Sequence, residues 1–98
     1  MALHTLLDTS INAAGASYTI PTDANGATAA VITVCADHLD DGYVDIECTF
    51  DGGTTWDELG IIFHGSDTWM GHLPPGLVIR AELQDASSPS AVKVFIVR

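Results

Sequence analysis

The sequence predicts an all-β fold, a single antiparallel β-sandwich or jelly-roll-like domain of seven to eight short strands. Three observations carry that reading. Period-2 alternation and β-branched runs recur at intervals of about ten residues with turn-forming residues between them. No window of about a dozen residues keeps an apolar stripe at helical spacing. The length of 98 residues limits the chain to one core, so residues 1–98 are expected to form one domain. Area scaling for a chain of this mass predicts a folded accessible surface of ~5,400 Å².

Residues 3–8 (LHTLLD) and 16–20 (ASYTI) read as short strands around a small polar turn at 12–15, and Pro21 closes the second because it has no N–H for a ladder. Residues 22–26 (TDANG) supply a tight reversal, since Asn25 and Gly26 tolerate positive φ. Residues 29–35 (AAVITVC) are apolar on both alternating faces except at Thr33, the pattern of a central strand covered on both sides. From Tyr43 to Phe50 the alternation is clean: Val44, Ile46, Cys48 and Phe50 take the core face, and Tyr43, Asp45, Glu47 and Thr49 the other. A turn at 51–54 leads into a strand at 55–63, which predicts a hairpin, and Gly60 marks a bulge within it.

Residues 64–67 read as a turn, 68–71 as a short strand, and Pro74, Pro75 and Gly76 as a rigid break. Leu77, Ile79, Ala81 and Leu83 then alternate with Val78, Arg80 and Glu82, which predicts a half-buried strand with an opposite-charge pair on its wet face. After a loop at 85–90, Val92, Val94 and Ile96 alternate with Lys93, Phe95 and Val97. Both faces of the last half of that strand are apolar, so one of them is expected to meet another subunit. The terminal strands are expected to pair inside the sheets.

Thirteen acidic residues against three basic ones give a formal charge of −10. Phosphate backbones and anionic membranes are bound by Lys and Arg, so neither nucleic acid nor a membrane surface is an expected partner. A basic protein surface or a cation fits better. No apolar run reaches the ~18 residues of a membrane-spanning helix. The first eight residues lack Lys, Arg and a continuous apolar stretch, so no secretory signal is expected and synthesis is expected to end in the cytoplasm. Two cysteines, Cys35 and Cys48, are too few for a disulfide scaffold and are read as buried thiols.

The segment from Thr49 to Trp56 (TFDGGTTW) fits [S/T]-x-D-x-G-x-T-[W/F] and resembles an Asp-box. Its physics is local: the Asp51 carboxylate accepts N–H bonds within the turn, Gly52 and Gly53 accept positive φ, and Trp56 folds back onto the hairpin. In sialidase-like propellers this motif recurs in successive blades away from the catalytic pocket, so the resemblance implies a structural hairpin of Asp51, Gly52, Gly53 and Trp56 and no catalysis.

Asp37, Asp40, Asp41 and Asp45 concentrate four carboxylates in nine positions, enough oxygens in principle for a hard cation. The spacing lacks the central Gly and terminal Glu of an EF-hand, so a solvated acidic loop is preferred, with calcium the alternative and no cofactor expected. His4, His38, His64 and His72 make no zinc-type cluster. Ser66 between His64 and Asp67 is a turn with the letters of a triad, and Asp57 and Glu58, adjacent in a strand, point to opposite faces and cannot flank one glycosidic bond. No enzyme is predicted.

Several stretches together resemble small β-sandwich virion proteins of tailed bacteriophages, roughly hundred-residue chains encoded among head and tail genes. They are Thr5-Leu6-Leu7, the Ala/Gly/Ser-rich turn 13–17, the hairpin from Glu47 to Trp56, Pro75 to Ala81 and the closing Val92 to Val94. The resemblance implies a non-enzymatic structural protein of the phage particle, made in the host cytoplasm. Its most natural role there is as a decoration or cement protein bound to the major capsid protein or another virion protein. Leu3, Leu6, Phe95 and Val97 are the expected contacts, and a homo-oligomer, with a trimer as the working guess, is expected. The alternatives are a tail or head-fibre component, or a carbohydrate-binding sandwich that stacks sugars on Tyr43, Trp56 and Trp69. Three aromatics on one face would favour the last, and inward-facing indoles would argue against it.

Overall fold

In a computed structural model, residues 3–21, 29–37, 39 and 41–97 are described. They form eight strands: β1 (Leu3–Thr9), β2 (Tyr18–Thr19), β3 (Ala29–Cys35), β4 (Tyr43–Thr49), β5 (Asp57–Phe63), β6 (Asp67–His72), β7 (Val78–Gln84) and β8 (Val92–Val97). These make two four-stranded sheets, ordered β1-β8-β3-β6 and β2-β7-β4-β5, with every pairing antiparallel. The pairs β1·β8, β2·β7, β3·β6 and β4·β5 are those of one long antiparallel ribbon folded over on itself, which is the jelly-roll wrap. The all-β sandwich expected from the alternation is therefore the observed architecture. Its accessible surface is 5202 Å². The reversal expected at 22–26 lies outside the described residues.

Between the sheets, the inward positions of each strand build the core: Ile32 and Val34 from β3, Val44 and Ile46 from β4, Ile79, Ala81 and Leu83 from β7, and Val92, Val94 and Ile96 from β8. β-branched side chains dominate because they pack well on a pleated surface, and each such burial stabilises by about 1.5–3 kcal/mol. Along the sandwich edge, the His4 ring on β1 stacks on Tyr18 of β2, with centroids 4.3 Å apart, and ties one sheet to the other. Asn12 clamps the segment after β1 to the β7–β8 loop, donating to Ala86 O (2.9 Å) and accepting from Ala86 N (3.0 Å).

Two irregularities aim side chains. In β5, Leu59 and Gly60 are extra between the Ile46↔Ile61 and Glu47↔Glu58 pairs, and Gly60 has φ 86°, so the bulge expected at Gly60 is present. In β1, two residues span Thr5 to Leu7 while β8 advances by one from Phe95 to Val94. The extra residue, Leu6, is turned inward beside Leu7, and both are buried. Leu6 is consequently a core residue and not the exposed contact that simple alternation suggests.

Four other expectations are corrected. β4 ends at Thr49, so Phe50 leaves the core face and is 80% exposed at the hairpin tip. β3 has one covered face, and its other face carries Ala29, Val31, Thr33 and Cys35, half-buried or exposed. Cys35 accordingly points outward, whereas Cys48 is buried, where burial pushes its thiol pKa up. Of the terminal strands, β8 lies inside its sheet but β1 forms an edge.

Candidate functional site

Cross-strand register places an apolar row across the outer face of the β1-β8-β3-β6 sheet. Leu3 pairs with Val97, Val97 with Val31, and Val31 with Met70. Leu3 is 67% and Met70 75% exposed, and the two valines between them are half-buried. The next row holds Phe95 between Thr5 and Thr33, with the Thr33 and Thr68 hydroxyls 3.0 Å apart at its end. Beside Met70 a shallow depression of ≈ 530 Å³ is lined by Ala29, Val31, Gly71, His72 and Val97. Among the described residues, this face has its charged cross-strand pair at the far end, where Asp8 pairs with Lys93. Thus Leu3, Phe95 and Val97 stand together on one face, while Leu6 lies beneath it. Val31 and Met70 escaped sequence reading. Met70 sits in a short strand whose alternation is too brief to assign a face, and only cross-strand register sets it beside Val31.

At the hairpin, the turn closes on its own side chains. Asp51 Oδ1 accepts from Thr55 N (3.0 Å) and Thr49 Oγ1 (2.8 Å), and Oδ2 accepts from Thr55 Oγ1 (2.6 Å). Those hydrogen bonds, the Thr55 hydroxyl first, hold the Asp51 pKa down at about 2. Thr49 Oγ1 in turn accepts from Gly53 N (2.9 Å), and Trp56 Nε1 donates back to Gly53 O (3.2 Å). Gly52 and Gly53 take φ of 77° and 99°. Each of the four residues named for the hairpin thus serves the turn itself. Next to it, Phe50, Leu59, Pro75, Leu77 and Val78 line a second shallow groove of ≈ 560 Å³.

The outer face of the other sheet is charged but covered. Arg80 Nε donates to Glu47 Oε1 (2.9 Å), its Nη2 lies 3.6 Å from Glu82 Oε2, and its guanidinium sits 4.2 Å from the Trp56 ring centroid. The opposite-charge pair expected on β7 is present, with Glu47 as a second partner. Asp45 and Glu47 are buried on this face, Asp45 at 1% exposure. Neither Asp45 oxygen receives a donor. Burial first, then the charges of Glu58, Glu47 and Glu82, raises its carboxyl to about 6.

Sugar-stacking residues are not brought together. Trp69 pairs with Ile32 and packs on the core, whereas Tyr43 and Trp56 belong to the other sheet, where Arg80 occupies a Trp56 face. The acidic loop is equally dispersed: Asp37 and Asp41 are exposed, Asp41 accepts from Ser87 Oγ (3.0 Å), Asp45 is buried on β4, and Asp40 lies outside the described residues. Among the described residues, no three His, Cys, Asp or Glu side chains are grouped to hold a metal ion. The Ser66 hydroxyl bonds Ala36 N (3.0 Å) and Ala36 O (3.3 Å), and Asp67 Oδ1 accepts from Thr68 N (2.8 Å), so both brace the β5–β6 turn.

Neither a family model nor a curated protein sequence nor a solved structure matches the chain.

Proposed function

We propose that this chain is a non-enzymatic structural protein of a tailed-bacteriophage particle, which decorates the assembled head through the outer face of the β1-β8-β3-β6 sheet. The observation that carries a docking role is the continuous row Leu3–Val97–Val31–Met70 with Phe95 behind it. A sheet face facing water normally alternates to polar residues, and contiguous exposed apolar patches mark interaction sites. The placement on a virion rests on the sequence resemblance, and the net charge of −10 suits a basic or mixed lattice surface while keeping free copies soluble. Decoration would work by linkage: a protein that binds only assembled shell stabilises it by mass action, and copies bridging neighbouring capsomers oppose their separation.

The test is cryo-electron microscopy of particles from cells producing the chain with its neighbouring genes. Ordered density at regular sites on the shell, with Leu3 and Met70 turned toward it, is the expected result. Met70→Asp and Leu3→Asp should abolish occupancy while leaving stability within about 0.5 kcal/mol, because both side chains are exposed. Absence from the head, or full occupancy by the Met70→Asp chain, overturns the assignment.

A further inference from the structure

Among the described residues, the least accommodated group is the Asp45 carboxyl. It projects from β4 to the outer side of the β2-β7-β4-β5 sheet, between its register partners Glu82 on β7 and Ile62 on β5. Tyr43 and Glu47 flank it along its own strand. Glu58, paired with Glu47 across the Gly60 bulge, is close enough for its charge to act on Asp45, and Arg80 comes from β7. Arg80, the cation facing this patch among the described residues, is engaged by Glu47 and Glu82, and the Tyr43 hydroxyl donates to Gln84 Oε1 at 2.9 Å. Asp45 is left with no donor at 1% exposure. A buried carboxylate that accepts nothing is costly, and the usual escape is neutralisation. Glu58 can satisfy Asp45 only if one of the two carries a proton.

We propose that Asp45 is a proton-binding site, its protonated carboxyl donating to the Glu58 carboxylate across the β4–β5 pair, so that the sandwich is strengthened in mild acid and weakened when the proton leaves. No bond other than O–H is made or broken, and the proton exchanges with water past the exposed Glu58. The direction follows from linkage. The folded chain holds the Asp45 proton up to about pH 6 and the unfolded chain releases it near 3.8. The added stability is whole below pH 4 and is lost as pH rises through 6. Within that window the folding constant falls up to about tenfold per pH unit, roughly a hundredfold in all. The Gly60 bulge shifts the β5 register so that Glu58 stands opposite Glu47, the next residue but one from Asp45 on β4.

Two measurements on the full chain test this. Carbon-13 NMR of the side-chain carboxyls from pH 3 to 8 should show Asp45 titrating near 6, and falling in Glu58→Gln by only part of that displacement, since burial is its larger cause. Urea unfolding of the wild type and Asp45→Asn over the same range should give a difference in folding constant that grows as pH rises from 4 to 6 and is constant above 7. Using the difference removes the opposite trend of ordinary carboxylates. Titration of Asp45 in the usual carboxylate range overturns the proposal, and because it is read on the wild type it decides the matter even if Asp45→Asn fails to fold. A difference that does not vary with pH also overturns it. So does saturable calcium uptake at pH 7.5 that vanishes in Asp45→Asn, which would make the pair a metal site.

Discussion

Thr49 shows how much one hydroxyl can hold. Its Oγ1 donates to Asp51 Oδ1 and accepts from Gly53 N, with Asp51 N at 3.4 Å, so the turn closes around a side chain that is 4% exposed. Thr49→Val keeps the shape and strands those N–H groups, and should cost about 1–3 kcal/mol in denaturant unfolding. Asp51→Ala, at the rim, should lower Tm by a few degrees. The Asp51 carboxyl also makes the opposite pH statement to Asp45. Its pKa is depressed to about 2, so the stability it contributes is present above about pH 4 and lost as pH falls through 2.

At the scale of elements, the β1 bulge separates the core from the outer face. Leu6 and Leu3 lie three residues apart on one strand, yet one is 2% and the other 67% exposed. Leu6→Ala should cost about 2–5 kcal/mol through lost burial and a residual cavity. Leu3→Ala should change stability by less than about 0.5 kcal/mol and be felt only in binding at the face proposed for docking. Thermal unfolding of the pair distinguishes the two roles.

The strands themselves were legible because alternation is a local property. β4, β7 and β8 show theirs in six or seven residues, and the Asp-box turn is written in eight. What alternation does not encode is where it breaks. Leu6 is turned inward by a bulge, Phe50 is released where the ladder stops, and AAVITVC is apolar at both parities, so nothing in it shows that Cys35, read as buried, turns outward. The candidate site was half readable for a related reason. Phe95 and Val97 announce themselves within β8, but Val31 and Met70 join them only through pairings between strands far apart in sequence.

For the whole molecule, charge and apolar surface divide the labour of association. A net charge of −10 makes copies repel at long range, while the apolar row offers short-range contact. A homo-oligomer, with a trimer the first expectation, would bury that row between copies. Sedimentation at micromolar concentration should then show association that strengthens with added salt, as screening removes the repulsion. A monomer mass at every salt concentration would remove the homo-oligomer.

The order of strands also sets a timetable for folding. Of all the strand pairings among the described residues, β4·β5 alone joins strands consecutive in sequence, so this hairpin can close within microseconds while every other ladder must first close a long loop. Such non-local topologies fold slowly, on the order of milliseconds to seconds. Because β8 lies between β1 and β3, those two strands have no ladder to each other, and their sheet cannot assemble until residues 92–97 have left the ribosome. During synthesis, then, the apolar edges of β1 and β3 wait unpaired, and the acidity that discourages self-association protects the nascent chain before it serves the finished one.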